Sequence, residues 1–246
     1  MNQARPLASA AGLRWIGDGF VLLWRRPLLW LLLTAMLFAI ALVTILLPAI
    51  GNLLLYLLSP TLLGVLLLVC HQLAGESPAL EPVRAALADR FSPLFALGVA
   101  YTAMQLGLLL LLGAAVPGLL DGLTSGKTAP VAAGPTRDAL PMLLLVLLLS
   151  IPATLMMWFA PALVVFRRMA AWPAMRYSLA ACLFHWRAML VNGVAIFALL
   201  LLASLPAMLG LLLWVPCMIG TLYSAYAAIF GLPGRGAGDE RDSGRT

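Results

Sequence analysis

Six runs of apolar residues, each near twenty positions or longer, dominate the chain: near 27–47, 52–72, 94–116, 140–166, 188–206 and 210–230. A helix rises about 1.5 Å per residue, and the hydrocarbon core of a bilayer is about 30 Å thick. About twenty apolar residues therefore cross it. None of the six runs contains Asp, Glu, Lys or Arg. Lipid offers no partner to an unpaired backbone N–H or C=O, so each run is predicted to be a helix. A membrane β-barrel needs alternating polarity, and stretches such as 106-LGLLLLLGAA-115 do not alternate. The pattern predicts an all-α, polytopic membrane helical bundle of six transmembrane helices. They pair as three hairpins, two of them turned at 48-PAIGN-52 and 206-PAMLG-210, where Pro and Gly punctuate the chain. The third connection, 117–139, is longer and reads as an irregular loop.

Between the hairpins the period changes. The segments 12-GLRWIGDGFVLLWRR-26, 78-PALEPVRAALADRFS-92 and 172-WPAMRYSLAACLFHWR-187 mix arginines and aromatic rings with helically spaced apolar residues. In the second, Val83, Leu87, Phe91 and Leu94 form a stripe. Each hairpin is thus preceded by a predicted interfacial helix, a pseudo-repeat in pattern rather than in residue identity. The reading is one membrane domain over 1–231 and a Gly-rich, charged tail, 232–246, expected to be disordered.

Composition agrees and adds an orientation. Hydrophobic residues make up 63% of 246 and charged ones 10%, too much apolar surface for a soluble globule to cover. Thirteen of the fifteen Lys and Arg residues fall in the N-terminus, 73–93, 167–187 and the tail; only Lys127 and Arg137 lie in segments facing the other way. The positive-inside bias therefore predicts both termini in the cytoplasm. The net charge of +6 then points to an anionic inner leaflet, not to nucleic acid. Met1 to Arg26 holds Trp15, Asp18 and Trp24, and the apolar block after it outruns a signal core, so it reads as a retained first span.

Candidate chemistry is sparse. Cys70, Cys182 and Cys217 make no C-x-x-C spacing. Cys182 and His185, three apart, share a helix face and are the one nucleophile–base candidate, with no carboxylate nearby in sequence. His71, Glu76 and Glu81 are too few and too loosely spaced to specify a metal site. The segment 122-GLTSGKT-128 ends like a phosphate-binding loop but has the wrong glycine spacing. No catalytic, metal or cofactor set is assigned. Gln105 and Asn192 are the polar residues most costly to expose to lipid and are expected to face the bundle interior. The small residues Gly220, Ser224 and Ala228, and likewise Gly98 and Thr102, are spaced for close helix approach within the bundle or in a homodimer. Pro152 and Pro161 should kink the fourth span. At the lipid interface the candidates are Arg25, Arg26, Arg167, Arg168, Arg176 and Arg187, with Trp15, Trp24, Trp172 and Trp186. Arginine stems reach headgroup phosphates, and indole rings suit the headgroup layer.

The stretches 12-GLRWIGDGFVLLWRRPLLW-30 and 158-WFAPALVVFRRMAAWPAMRYSLAACLFHWRAML-190 resemble an uncharacterised family of bacterial six-span inner-membrane proteins. That family is itself distantly similar to the membrane domain preceding some glycerophosphodiester phosphodiesterases. The resemblance implies an inner-membrane helical bundle with amphipathic elements and supplies no catalytic residues. The sequence is read as a non-enzymatic module that interacts with anionic lipid or a protein partner. A transporter or permease component for a small or lipidic substrate, and an interfacial enzyme using His185, Cys182 or His71, are the alternatives.

Overall fold

The computed structural model describes residues 7–46, 50–74, 80–115, 140–205 and 210–231. Among them are nine helices and no strand. They are α1 (Ala11–Arg25), α2 (Pro27–Ile45), α3 (Ile50–Ala74), α4 (Leu80–Ala115), α5 (Leu140–Trp158), α6 (Ala160–Arg167), α7 (Ala171–Phe184), α8 (Trp186–Ser204) and α9 (Leu211–Phe230). Six stretches are long and apolar enough to cross a membrane, with α5 and α6 together forming one of them. The protein is a multi-pass membrane protein built as an all-α bundle. The long 117–139 connection, the proposed tail and the centres of the two short turns lie outside the described residues.

The core gathers at one end of the bundle. It is built from Leu66, Leu67 and Leu68 of α3, Leu94 and Leu97 of α4, all of Phe159 to Val165, and Ile219, Leu222, Tyr223, Ala225 and Tyr226 of α9. Helix α6 is buried on every side from Ala160 to Val165, because α3, α4, α5 and α7 all pack on it. Away from this core α5 leaves Leu144, Leu147 and Leu148 exposed, as expected of a surface that meets lipid tails.

Two elements differ from the sequence expectation. The interfacial helix expected at 78–92 is not separate: α4 runs on through Pro93 as one helix of 36 residues, about 54 Å long. The reason is register. Val83, Leu94 and Leu97 are all buried, so the stripe of the first part continues into the span and packing holds both on one axis. Phe91, expected on that stripe, is exposed.

Helix α1 is the second. It is amphipathic, and Arg14 and Asp18 are exposed, yet among the described residues no pair of helices packs more extensively than α1 and α9. Its buried face carries Gly12, Trp15, Ile16, Gly19, Leu22 and Leu23. Glycine lets the backbones touch. A Cβ on Gly19 would lie 2.8 Å from the Thr221 amide nitrogen and 2.9 Å from the Cys217 carbonyl oxygen; one on Gly220 would lie 2.9 Å from the Gly19 Cα. Gly12 sits as tightly on Ala188 and Asn192 of α8. Gly220 thus serves contact within the chain, as Gly98 does against the Leu57 carbonyl, while Ala228 at the end of the same row is exposed.

Helix α9 runs obliquely to the α2–α3 hairpin. Leu212 and Leu213 border Pro27 and Leu28 at the start of α2, while Tyr223 hydrogen-bonds His71 near the end of α3 (3.0 Å). The hairpin pairs Thr44 with Gly51 and packs Met36 near Leu62, which brings those two ends side by side.

Candidate lipid-facing site

The fourth span breaks where Pro161 requires it. Proline has no N–H to offer Met157, and its ring collides with that carbonyl, so α5 stops at Trp158 and α6 restarts at Ala160. A continuous helix would join the Phe159 N–H to the Leu155 carbonyl. Here the hydroxyl of Ser178 is inserted between them: Phe159 N–H donates to Ser178 Oγ (2.9 Å), and Ser178 Oγ–H donates to Leu155 O (2.6 Å). Ser178 is fully buried. One turn on, the Cys182 thiol also points at Leu155 O (3.7 Å). The inward face of α7, made of Ala174, Met175, Ser178 and Cys182, thereby closes the break.

The outward face of α7 and the first turn of α8 have a different character. Trp172, Arg176, Tyr177, Trp186 and Arg187 are all exposed, and the Arg187 guanidinium lies over the Trp186 ring at 5.4 Å. The chain bends between the two helices at His185, which is 7% exposed. His185 Nδ1 accepts a hydrogen bond from the Leu7 N–H (3.1 Å), so the neutral ring keeps its proton on Nε2. Burial pushes this histidine below its ordinary value.

The remaining interface candidates separate. Arg167 and Arg168 are exposed but engaged: Arg167 donates to the Phe230 carbonyl at the end of α9 and lies 5.8 Å over the Phe230 ring. Arg168 ends α6 in the left-handed region (φ 54°) and pairs with Asp89 of α4 at 3.9 Å. Arg25 and Arg26 are exposed and flank Trp24 and Pro27, beside the first turn of α9. From Leu212 to Phe230 that helix is about 27 Å long, so the two arginine pairs are not one patch. Trp24 is exposed. Trp15 is not an interface residue: at 3% exposure its ring is buried in the core by the packing of α1 on its neighbours.

Asn192 is buried (2%) under Gly12, and its Oδ1 meets no hydrogen-bond donor among the described residues. Gln105 is only half-buried, because α4 leaves the packed end of the bundle before reaching it. The Cys182–His185 pair is turned to separate partners, the thiol to Leu155 and the ring to Leu7, and burial pushes the thiol up to about 12. Glu76 and the Glu81 side chain lie outside the described residues; within these no cluster of metal-ligating groups occurs.

Ser178 is the residue that sequence reasoning missed, although Pro161, which creates its role, was legible. Compared with protein-family models, with curated proteins and with solved structures, the chain finds no match.

Proposed function

We propose that this protein is a non-enzymatic module of a bacterial inner membrane that holds anionic phospholipid at the outward face of α7 and the start of α8. The carrying observation is the exposed set Trp172, Arg176, Tyr177, Trp186 and Arg187 on elements whose other face is fixed in the core. Aromatic rings with a polar edge and arginines with apolar stems both suit the headgroup layer. A basic side chain near an anionic surface contributes roughly 1 kcal/mol. The resemblance of 12–30 and 158–190 to six-span inner-membrane proteins is in keeping with this location.

The orientation we propose has both termini in the cytoplasm. The argument survives the separation of the arginine pairs: without Arg25 and Arg26, eleven of the fifteen cations still lie in segments on the proposed inner side. Alkaline phosphatase fused near Lys127 is expected to be active; activity only in fusions at the termini contradicts the orientation. The alternative, a transporter or permease component, rests on the kinked fourth span together with Gln105 and Asn192. It draws little support from a break that Ser178 fills and that α6 surrounds with buried apolar side chains.

The lipid reading is tested by thermal stability of the purified full chain in detergent, titrated with phosphatidylglycerol or phosphatidylcholine. Phosphatidylglycerol is expected to raise the melting temperature at lower concentration. Equal effects of the two lipids contradict the reading.

A further inference from the structure

Two cavities meet at Trp186. One is an apolar groove of about 530 Å³ between α5, α7 and α8, lined among others by Leu155, Trp158, Leu183, Leu190, Val194 and Phe197. The other is a cavity of mixed polarity, about 510 Å³, formed by Leu7 to Ser9 with Phe184, His185 and Arg187. The indole of Trp186 lines both, and Arg187 stacks on it.

We propose that this pair of cavities is a binding site for one anionic phospholipid, its headgroup beside Arg187 in the cavity of mixed polarity and one acyl chain in the groove. The proposal rests on the lipid reading above and gives it a place and a stoichiometry. Three observations carry it. The first is amphiphilic order: the Arg187 charge and a chamber of mixed polarity adjoin a nearly wholly apolar groove of similar size. Arg187 forms no ion pair with a described residue, so its guanidinium remains to meet a phosphate, which it fits through parallel N–H donors. His185, neutral and engaged by Leu7, adds no acceptor charge that would repel an anion.

The second observation is length. From Trp186 to Phe197 α8 rises about 16 Å, close to half of the roughly 30 Å hydrocarbon core, the depth that one leaflet's chain occupies. The third is the floor of the groove. Gly193 lines it, and a Cβ built there meets nothing within 4 Å. The glycine is therefore not needed for close helix contact; what it leaves is room in the groove.

The open space suggests the test. Gly193→Trp sends an indole into the groove from a position where the first side-chain atom meets nothing within 4 Å, and Arg187→Gln removes the charge at its mouth. Leu144→Trp, on an exposed part of α5 outside the groove, is the control. The full chain is reconstituted in nanodiscs of equal parts phosphatidylglycerol and phosphatidylcholine, and retained lipid is counted by native mass spectrometry. Wild type and the control are expected to keep one phosphatidylglycerol. Gly193→Trp should reduce that bound fraction about tenfold, equivalent to about 1.4 kcal/mol. Arg187→Gln should keep a lipid but lose the headgroup preference. If Gly193→Trp retains phosphatidylglycerol as wild type does, the groove is overturned while the lipid reading stands. If wild type keeps both lipids in the proportion supplied, the lipid reading fails and this site with it. Should Gly193→Trp not fold, Gly193→Leu in the same assay decides on the same terms.

Discussion

At the scale of single residues, the fourth span turns on one hydroxyl. Ser178 holds together the two backbone groups that Pro161 forces apart, Phe159 N–H and Leu155 C=O. Removing the hydroxyl leaves the Phe159 N–H unpaired and the Leu155 carbonyl with only the weak Cys182 thiol donor, and a buried unsatisfied group costs about 1–3 kcal/mol. Ser178→Ala is therefore expected to lower stability by about that amount, read as a lower melting temperature in detergent. Ser150→Ala is the contrast: Ser150 Oγ donates only to Leu147 O within its own helix on an exposed face, and its loss should change little. Equal effects of the two substitutions contradict the role given to Ser178. The residue was invisible in sequence for a physical reason. The need arises at 159–161, the remedy sits nineteen residues on, and nothing local says that a serine on α7 faces α5 rather than lipid. Trp15 shows the reverse error. Its type suggested the headgroup layer, but its burial depends on which side of α1 packs, and that only the partner helix decides.

At the scale of elements, the six apolar runs are met by six helical stretches long and apolar enough to cross a membrane, since crossing lipid imposes length and polarity on each run independently of its neighbours. The break at Pro161 was legible too, being a covalent property of one residue. What was not legible was how amphipathic segments dock. Helix α4 absorbs its expected interfacial helix because one buried stripe runs through Pro93, and α1 lies on α8 and α9 through glycines. A signal was present: Gly12 and Gly19 stand seven apart, two helical turns, on one face. Gly19→Ala would place a methyl group within 3 Å of backbone atoms of α9, which cannot yield as a side chain can. It is expected to loosen α1 and make it cleavable by added protease. Gly17→Ala meets nothing within 4 Å and should leave α1 protected, with helix propensity improved by about 1 kcal/mol. Protection of Gly19→Ala equal to that of Gly17→Ala contradicts the close docking of α1.

At the scale of the whole molecule, the bundle is tight at one end and presents apolar surface elsewhere. The tight end fixes the inward faces of α1, α6 and α7, which leaves the outward face of α7 and the start of α8 with exposed arginines and aromatic rings. The account's central claim is that this face selects anionic phospholipid. The most direct test repeats the lipid titration of thermal stability on the Arg176→Gln, Arg187→Gln double variant beside wild type. Both arginines are exposed, so the apo melting temperature should hardly move. The predicted result is loss of the advantage of phosphatidylglycerol over phosphatidylcholine, with the effect of phosphatidylcholine unchanged. Persistence of that advantage in the double variant would contradict the claim.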